Sequence, residues 1–538
     1  MSSIKRITCA FLSVHLCFSA ISQTNFYWQQ HVNFNIDVTL NDVNKTLSGF
    51  EKLEYFNNSP DTLHYIWFHI WPNAYKDETS AFYQQLGHLS EGKEIIQKFK
   101  ERGYIDSLSF KADGEAIRYE NHPQYNDVIK LLLNKPLYPG QHIILTTPFF
   151  VKIPSYISRF GHDGNSFMIT QWYPKPAVYD RKGWHEMPYL DIGEFYSEYG
   201  TFDVRITVPS AYVVAATGLL QTEKERSLYQ SIGKKNKDII ASNNGNTQKI
   251  KSQFNYYQDE SGGVKTLSWH ADSVHDFAWF ADKQFVINYD TLQLASGKVI
   301  DAYTFYHSTD KQWYNSEEDV EDVIRHYSAW IGEYEYPAAN AVAGPANSFS
   351  GGMEYPMITL ITDPKADEVK LDGLLAHEVG HNWFYAMIGT NERDHPWMDE
   401  GINTFYQFKY EGQKHRSNLV FGNSIPESAK TLNDAAFFSA IYNSMNMIPM
   451  QEPVETPSES FKDDQEYATI VYLKTAIWMY TLEISLGTDK LQQAMQSYFS
   501  DWKFRHPYPE DMKASLEKSL NMGLADLFEL LQHEGNFK

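Results

Sequence analysis

His377-Glu378-Val379-Gly380-His381 sets two histidines four residues apart. On an α-helix that spacing stacks both rings on one face, one turn apart, so both can reach a single ion. Glu378 stands beside the first histidine and can approach a water on that ion, which is the arrangement of metal-assisted hydrolysis. Gly380 is a poor helix former, so helix propensity alone does not favour the stretch. A catalytic zinc takes three protein ligands and keeps one position for water. Glu400 follows His381 after 18 intervening residues, in Trp397-Met398-Asp399-Glu400-Gly401. A helix, a turn and a second antiparallel helix would return its carboxylate to the histidine face. Taken alone, Glu400 reads more readily as a solvated surface acid. The rival donor His395 lies five residues earlier, beside Pro396, where an ordinary loop histidine is the plainer account.

The elements that must carry these residues fall into two halves. In residues 31–40, Val32, Phe34, Ile36, Val38 and Leu40 alternate with polar neighbours, and Phe202, Val204, Ile206 and Val208 repeat the pattern. A period of two marks half-buried strands. Residues 63–71 form a third, more continuous strand, and strand-like sequence resumes over residues 267–285. Residues 221–263 are polar, with Gly-Lys-Lys-Asn and Asn-Asn-Gly-Asn runs, and are expected to form a long hairpin or insertion loop. A domain boundary is placed at residue 287. Beyond it, residues 317–333 carry Val320, Val323, Ile324, Tyr327 and Ile331 on one helical face. A helix capped by Asp372 is expected to run to about residue 388 and stop at Gly389, with a second starting near Met398. Residues 467–486 and 509–533 also read as helical. The fold class expected is multidomain α+β: an N-terminal antiparallel sheet domain over residues 23–287, then a mainly helical catalytic domain over residues 288–538.

At 538 residues the chain exceeds one ordinary core. Its 42% hydrophobic content supports globular domains. A formal net charge of -22 repels phosphate backbones and argues against nucleic acid as a partner. Lys5 and Arg6, the mostly apolar residues 7–21, and the small residues Ala20 and Ser22 read as a signal peptide over residues 1–22, hence an exported, periplasmic or extracellular protein. The apolar run spans 15 residues, shorter than the roughly 20 a membrane-spanning helix needs. Cys9 and Cys17 both lie in that leader. The mature chain therefore has no thiol for zinc ligation or nucleophilic catalysis.

With HExxH, 18 residues and Glu400 in place, the sequence resembles the aminopeptidase N family of zinc peptidases, the gluzincins. Gly351-Gly352-Met353-Glu354-Tyr355-Pro356 resembles the family's Gly-x-Met-Glu-Asn signature. Tyr472-Leu473-Lys474-Thr475-Ala476 is similar to its Tyr-Glu-Lys-Gly-Ala segment, and Thr170-Gln171-Trp172 to its Thr-Gln-Phe. Trp383-Phe384 and Asp399-Glu400-Gly401 match further family positions. Tyr355, Leu473 and Thr475 depart from the pattern. The chain ends 138 residues after Glu400, short of the large C-terminal helical domain of many members, which implies a more open site.

The resemblance implies a saddle-like sheet domain followed by a thermolysin-like domain. It also implies one Zn²⁺ per chain on His377, His381 and Glu400, with Glu378 as general base and Tyr472 stabilising the oxyanion. Glu354 would hold the substrate's α-ammonium with help from Gln171. Gly351, Gly352 and Met353 would border the peptide backbone, and Tyr467 is the alternative to Tyr472. The expected activity is release of N-terminal residues from peptides. The alternatives are another hydrolase, because one branch of the family opens an epoxide, and a peptide-binding scaffold without catalysis. Retention of every zinc ligand and of Glu378 weighs against the scaffold.

Overall fold

The structure is a computed structural model and describes residues 27–537 apart from 90, 91, 100, 244, 259–261, 348 and 349. The leader expected over residues 1–22, with Cys9 and Cys17, lies outside the described residues. Among the described residues no helix is long and apolar enough to cross a membrane.

In β1 (His31–Asn41) the alternating apolar residues are buried and their neighbours face outward. A single buried sheet face demands that pattern. β1 pairs antiparallel with β2 (Thr46–Phe56), and β2 with β3 (His142–Lys152). On its other side β1 runs parallel to β4 (Gly200–Pro209), which pairs antiparallel with β5 (Val264–Val274). The sheet is thus mostly antiparallel but contains one parallel pair that alternation could not reveal. Alternation reports a buried face, and a parallel neighbour requires only a long connection, supplied here by the chain between β3 and β4.

Residues 221–263 correct the expected hairpin or loop. They hold α1 (Glu223–Ser242) and a short helix, Thr247–Gln253. Buried Tyr229, Ile232, Gly233, Asn236 and Ile240 recur at helical steps, a stripe masked by the polar residues between them. α1 lies on β6 (Val286–Gln293), where the buried Asn236 amide donates to Ile287 O and Asn255 O, both at 3.0 Å.

β6 opens the second sheet, completed by β7 (Val299–Tyr306), β8 (Ala338–Ala343), β9 (Gly352–Tyr355) and β10 (Ile358–Ile361) in the order β6-β7-β8-β10-β9. The boundary drawn at residue 287 therefore falls inside β6, and buried residues of both halves join in one core. Among the described residues β9 is an edge strand, paired with β10 alone. Against this sheet pack α2 (Ser316–Trp330) and α3 (Glu368–His381), and α4 (Glu400–His415) packs on α3.

α3 begins at Asp367, whose carboxylate caps the Lys370 N–H at 2.9 Å. Asp372, the expected cap, is instead buried within the helix and accepts the Tyr410 hydroxyl at 2.8 Å, which registers α4 on α3. α3 does not run on to residue 388. It widens into a π-helical turn over Asn382–Met387. A second wide turn, Ala468–Lys474, leads into α5 (Thr475–Leu486). In plain α geometry residues five apart point about 140° away from each other. The i→i+5 turn brings Tyr467 and Tyr472 to the same side, with ring centroids 5.9 Å apart.

Candidate active site

α3 and α4 cross tightly enough to bring Glu400 against both histidines. A Cβ on Gly380 would stand 2.2 Å from Asn403 Oδ1, so the glycine that weakens the helix is what lets the two helices touch. His377 Nε2 lies 3.1 Å from Glu400 Oε2 and 3.1 Å from His381 Nε2, and His381 Nε2 lies 3.2 Å from Glu400 Oε2. A tetrahedral ion with bonds of about 2.0 Å spaces its ligands about 3.3 Å apart, so these three atoms fit one zinc. The outward nitrogens are taken. His377 Nδ1 bonds Gln407 Oε1 at 2.9 Å and His381 Nδ1 bonds Asp399 Oδ1 at 2.6 Å, which turns both Nε2 atoms toward the shared point. His395, the rival donor, is paired with Glu455 instead.

Glu378 follows His377 on α3 and is buried, with Oε2 unpartnered. A Cβ on Gly352 would stand 2.3 Å from Glu378 Oε1, so β9 approaches the carboxylate as closely as backbone can. Burial pushes the Glu378 carboxyl up to about 7, with the charge of His377 and His381 pulling the other way. Burial also acts to raise Glu400, but the two histidines outweigh it and hold that carboxyl well below its ordinary range. Tyr472 donates to Glu400 Oε1 at 2.6 Å and lies face to face with His377.

Gly351, Gly352, Met353, Glu354, His377, Glu378, Glu400, Tyr467 and Tyr472 border one cleft of about 430 Å³, with His381 buried behind it. Gln171 does not join them. Its amide points at Asp276 Oδ2, 3.4 Å away, and its Oε1 accepts from Tyr355 on the far face of β9. A backbone φ of 45° turns the residue away from the cleft. Glu194 occupies the side of the site nearest Glu354 instead. It comes from the loop before β4 and escaped sequence reading because no periodicity marks that loop. One oxygen is held by Arg159 at 2.6 Å and the other is buried without a partner. Oxygens of Glu194, Glu354 and Glu400 lie within 4.8 Å of one another. Burial drives Glu354 well above the usual carboxylate range and raises Glu194, which Arg159 partly offsets. Two such groups side by side call for a cation between them. Gln407 was also missed, although its place two turns after Glu400 on α4 is a legible signal.

Two histidines and a carboxylate whose donor atoms fit one zinc, an adjacent carboxylate with an unpartnered oxygen and a cleft bordered by an edge strand are the arrangement of an HExxH metallopeptidase centre. Residues 314–531 match the Peptidase family M1 domain, in agreement with the aminopeptidase N-like resemblance of the motifs. Leucine aminopeptidase 2 of Yarrowia lipolytica is 24% identical over 206 residues, which cover 36% of this chain and 30% of that protein. The curated relatives are thus matched over about a third of their length or less. An M1 zinc metallopeptidase from Deinococcus radiodurans shares the fold at 14% identity, with a TM-score of 0.58 over 95% of this chain and 94% of that one. Aminopeptidase A of Legionella pneumophila, solved with aspartic acid, superposes with a TM-score of 0.61 and 12% identity over 95% of this chain and 50% of its own.

The closeness of β9 to Glu378 is directly testable. Gly352→Ala should displace the carboxylate and cost about 1–3 kcal/mol of stability in chemical denaturation. Gly351→Ala should cost less, since its Cβ would stand 3.0 Å from a movable Leu374 methyl. Equal small losses would show that Glu378 is not held against the strand.

Proposed function

We propose that this chain is a zinc aminopeptidase that removes single residues from the free N-terminus of peptides. The observation that carries this reading is one cleft holding both the His377/His381/Glu400 donor set with Glu378 and the two incompletely satisfied carboxylates of Glu354 and Glu194. When bound, zinc would polarise a scissile carbonyl and lower the pKa of a water towards about 7.

The chain's own groups divide the remaining work. Glu354 and Glu194 hold the α-ammonium by charge and hydrogen bonding. Arg159, on the cleft wall behind them, donates to Glu194 Oε1 at 2.6 Å and to Asp191 O at 2.9 Å. An extended substrate can add to the free edge of β9 by backbone hydrogen bonds, with Gly352 and Gly351 letting it run close. Glu378 Oε2 accepts a proton from the attacking water and later passes it to the leaving amine. The Tyr472 hydroxyl, now directed at Glu400, needs only a small turn to donate to the oxyanion. Export rests on the leader sequence alone. N-terminal sequencing of protein recovered outside the cytoplasm should begin at Gln23, and a retained leader would refute it.

Purified protein should carry one zinc per chain by elemental analysis. His381→Ala should lose the metal and all activity. Glu378→Gln and Tyr472→Phe should keep it and lose turnover, the latter by about 10²–10³ in kcat with KM nearly steady. Full zinc occupancy in His381→Ala would contradict the ligand set.

Acetylating the substrate's N-terminus should abolish cleavage. Glu354→Ala and Glu194→Gln should raise KM for free-amine peptides more than they lower kcat. Internal cleavage of blocked peptides at comparable rates would make the protein an endopeptidase.

A further inference from the structure

The wide turn Ala468–Lys474 that brings Tyr467 and Tyr472 to one side closes on Lys474. Lys474 does not border the cleft, yet its side chain is fully buried. Taking an ammonium out of water is costly unless acceptors replace the water. Here the acceptors are main-chain carbonyls from two separate segments. Lys474 Nζ donates to Glu452 O and to His533 O, both at 2.7 Å. It also lies 5.4 Å from the centre of the Phe537 ring, within reach of a cation–π contact.

The two segments are themselves tied together. In the tail over residues 533–537, the Asn536 amide donates to Asn446 O and Ile448 O, each at 2.7 Å, and the Gly535 N–H donates to Gln451 O at 2.9 Å. The Asn446 amide donates in return to Phe537 O at 3.0 Å. Lys474 joins this pair of segments to the turn. His533 and Glu534 are exposed, so the cover over Lys474 on that side is a stretch of surface chain. A π-turn carries an extra residue that regular helical bonding does not accommodate, so its shape depends on what holds its ends. Tyr472 stands two residues before Lys474, and its hydroxyl must leave Glu400 Oε1 to reach an oxyanion. Where the turn is held therefore decides how far that hydroxyl can swing.

We propose that Lys474 is a positioning residue: it latches the tail over residues 533–537 and the loop over residues 446–452 onto the π-turn, and so sets the reach of the Tyr472 hydroxyl. The inference rests on the role given to Tyr472 in the aminopeptidase reading above. Lys474→Met keeps the side-chain length and removes the donors. Asn536→Ala loosens the tail from the loop and leaves Lys474 in place. Hydrogen–deuterium exchange of the full chain, read by mass spectrometry, should be faster over Ala468–Lys474 in both variants than in the wild type. On an aminoacyl amide, Lys474→Met should lower kcat by roughly 10-fold with KM and zinc content steady. In a Tyr472→Phe background the same substitution should lower kcat by less than about 2-fold, because the hydroxyl it positions is already gone. A residue that served packing alone would lower kcat equally in both backgrounds, and that result overturns the inference. Unchanged exchange over the turn in the folded variants overturns it as well, whatever the activity. Should Lys474→Met fail to fold, Asn536→Ala carries both measurements, with a loss in kcat of roughly 3-fold that again vanishes in Tyr472→Phe. If the wild type cleaves no aminoacyl amide, the aminopeptidase reading falls and the effect on Tyr472 with it, while exchange still decides whether the latch exists.

Discussion

Three electron-rich donor atoms held 3.1–3.2 Å apart in a largely buried place repel one another unless a cation or shared protons join them. The catalytic half is arranged to hold that configuration. The α3–α4 crossing brings Glu400 to the histidines, Gly380 permits the contact, and Gln407 and Asp399 turn the rings inward. The Asn403 amide donates to His377 O at 2.7 Å, fixing the crossing from the backbone side. With a dication in place the same geometry becomes favourable, so metal binding and stability of this half are linked.

A second electrostatic constraint gives the cleft its direction. Glu354 and Glu194 are buried beside the donor set, with Arg159 neutralising only part of their charge. Past His377, Leu374, Phe408 and Val420 present no charge at all. A peptide entering with its ammonium outward, away from the two carboxylates, would bury carboxylates without a cation and set its own charge against an apolar wall. The sheet half takes part because its loop carries Glu194 and Arg159, which explains why the site lies where the two halves share one core.

The pairing of His377 with His381 was legible because helix geometry puts residues four apart on one face. β1 was legible for the same reason at period two. Other features depend on tertiary packing that leaves no periodic trace. Glu194 lies on an irregular loop, and Gln171 fits a motif yet its backbone turns it toward Asp276. α1 hid its apolar stripe among lysines and asparagines. Tyr467 and Tyr472 reach one side only through a π-turn, which residue type does not announce.

Zinc K-edge X-ray absorption on the purified protein tests the central claim most directly, because it reads the first coordination shell. The account predicts two imidazole nitrogens and carboxylate oxygen at about 2.0–2.2 Å, with one further light-atom ligand, and loss of one imidazole contribution in His377→Ala. A shell with three or more imidazoles, or one unchanged in His377→Ala, would contradict it.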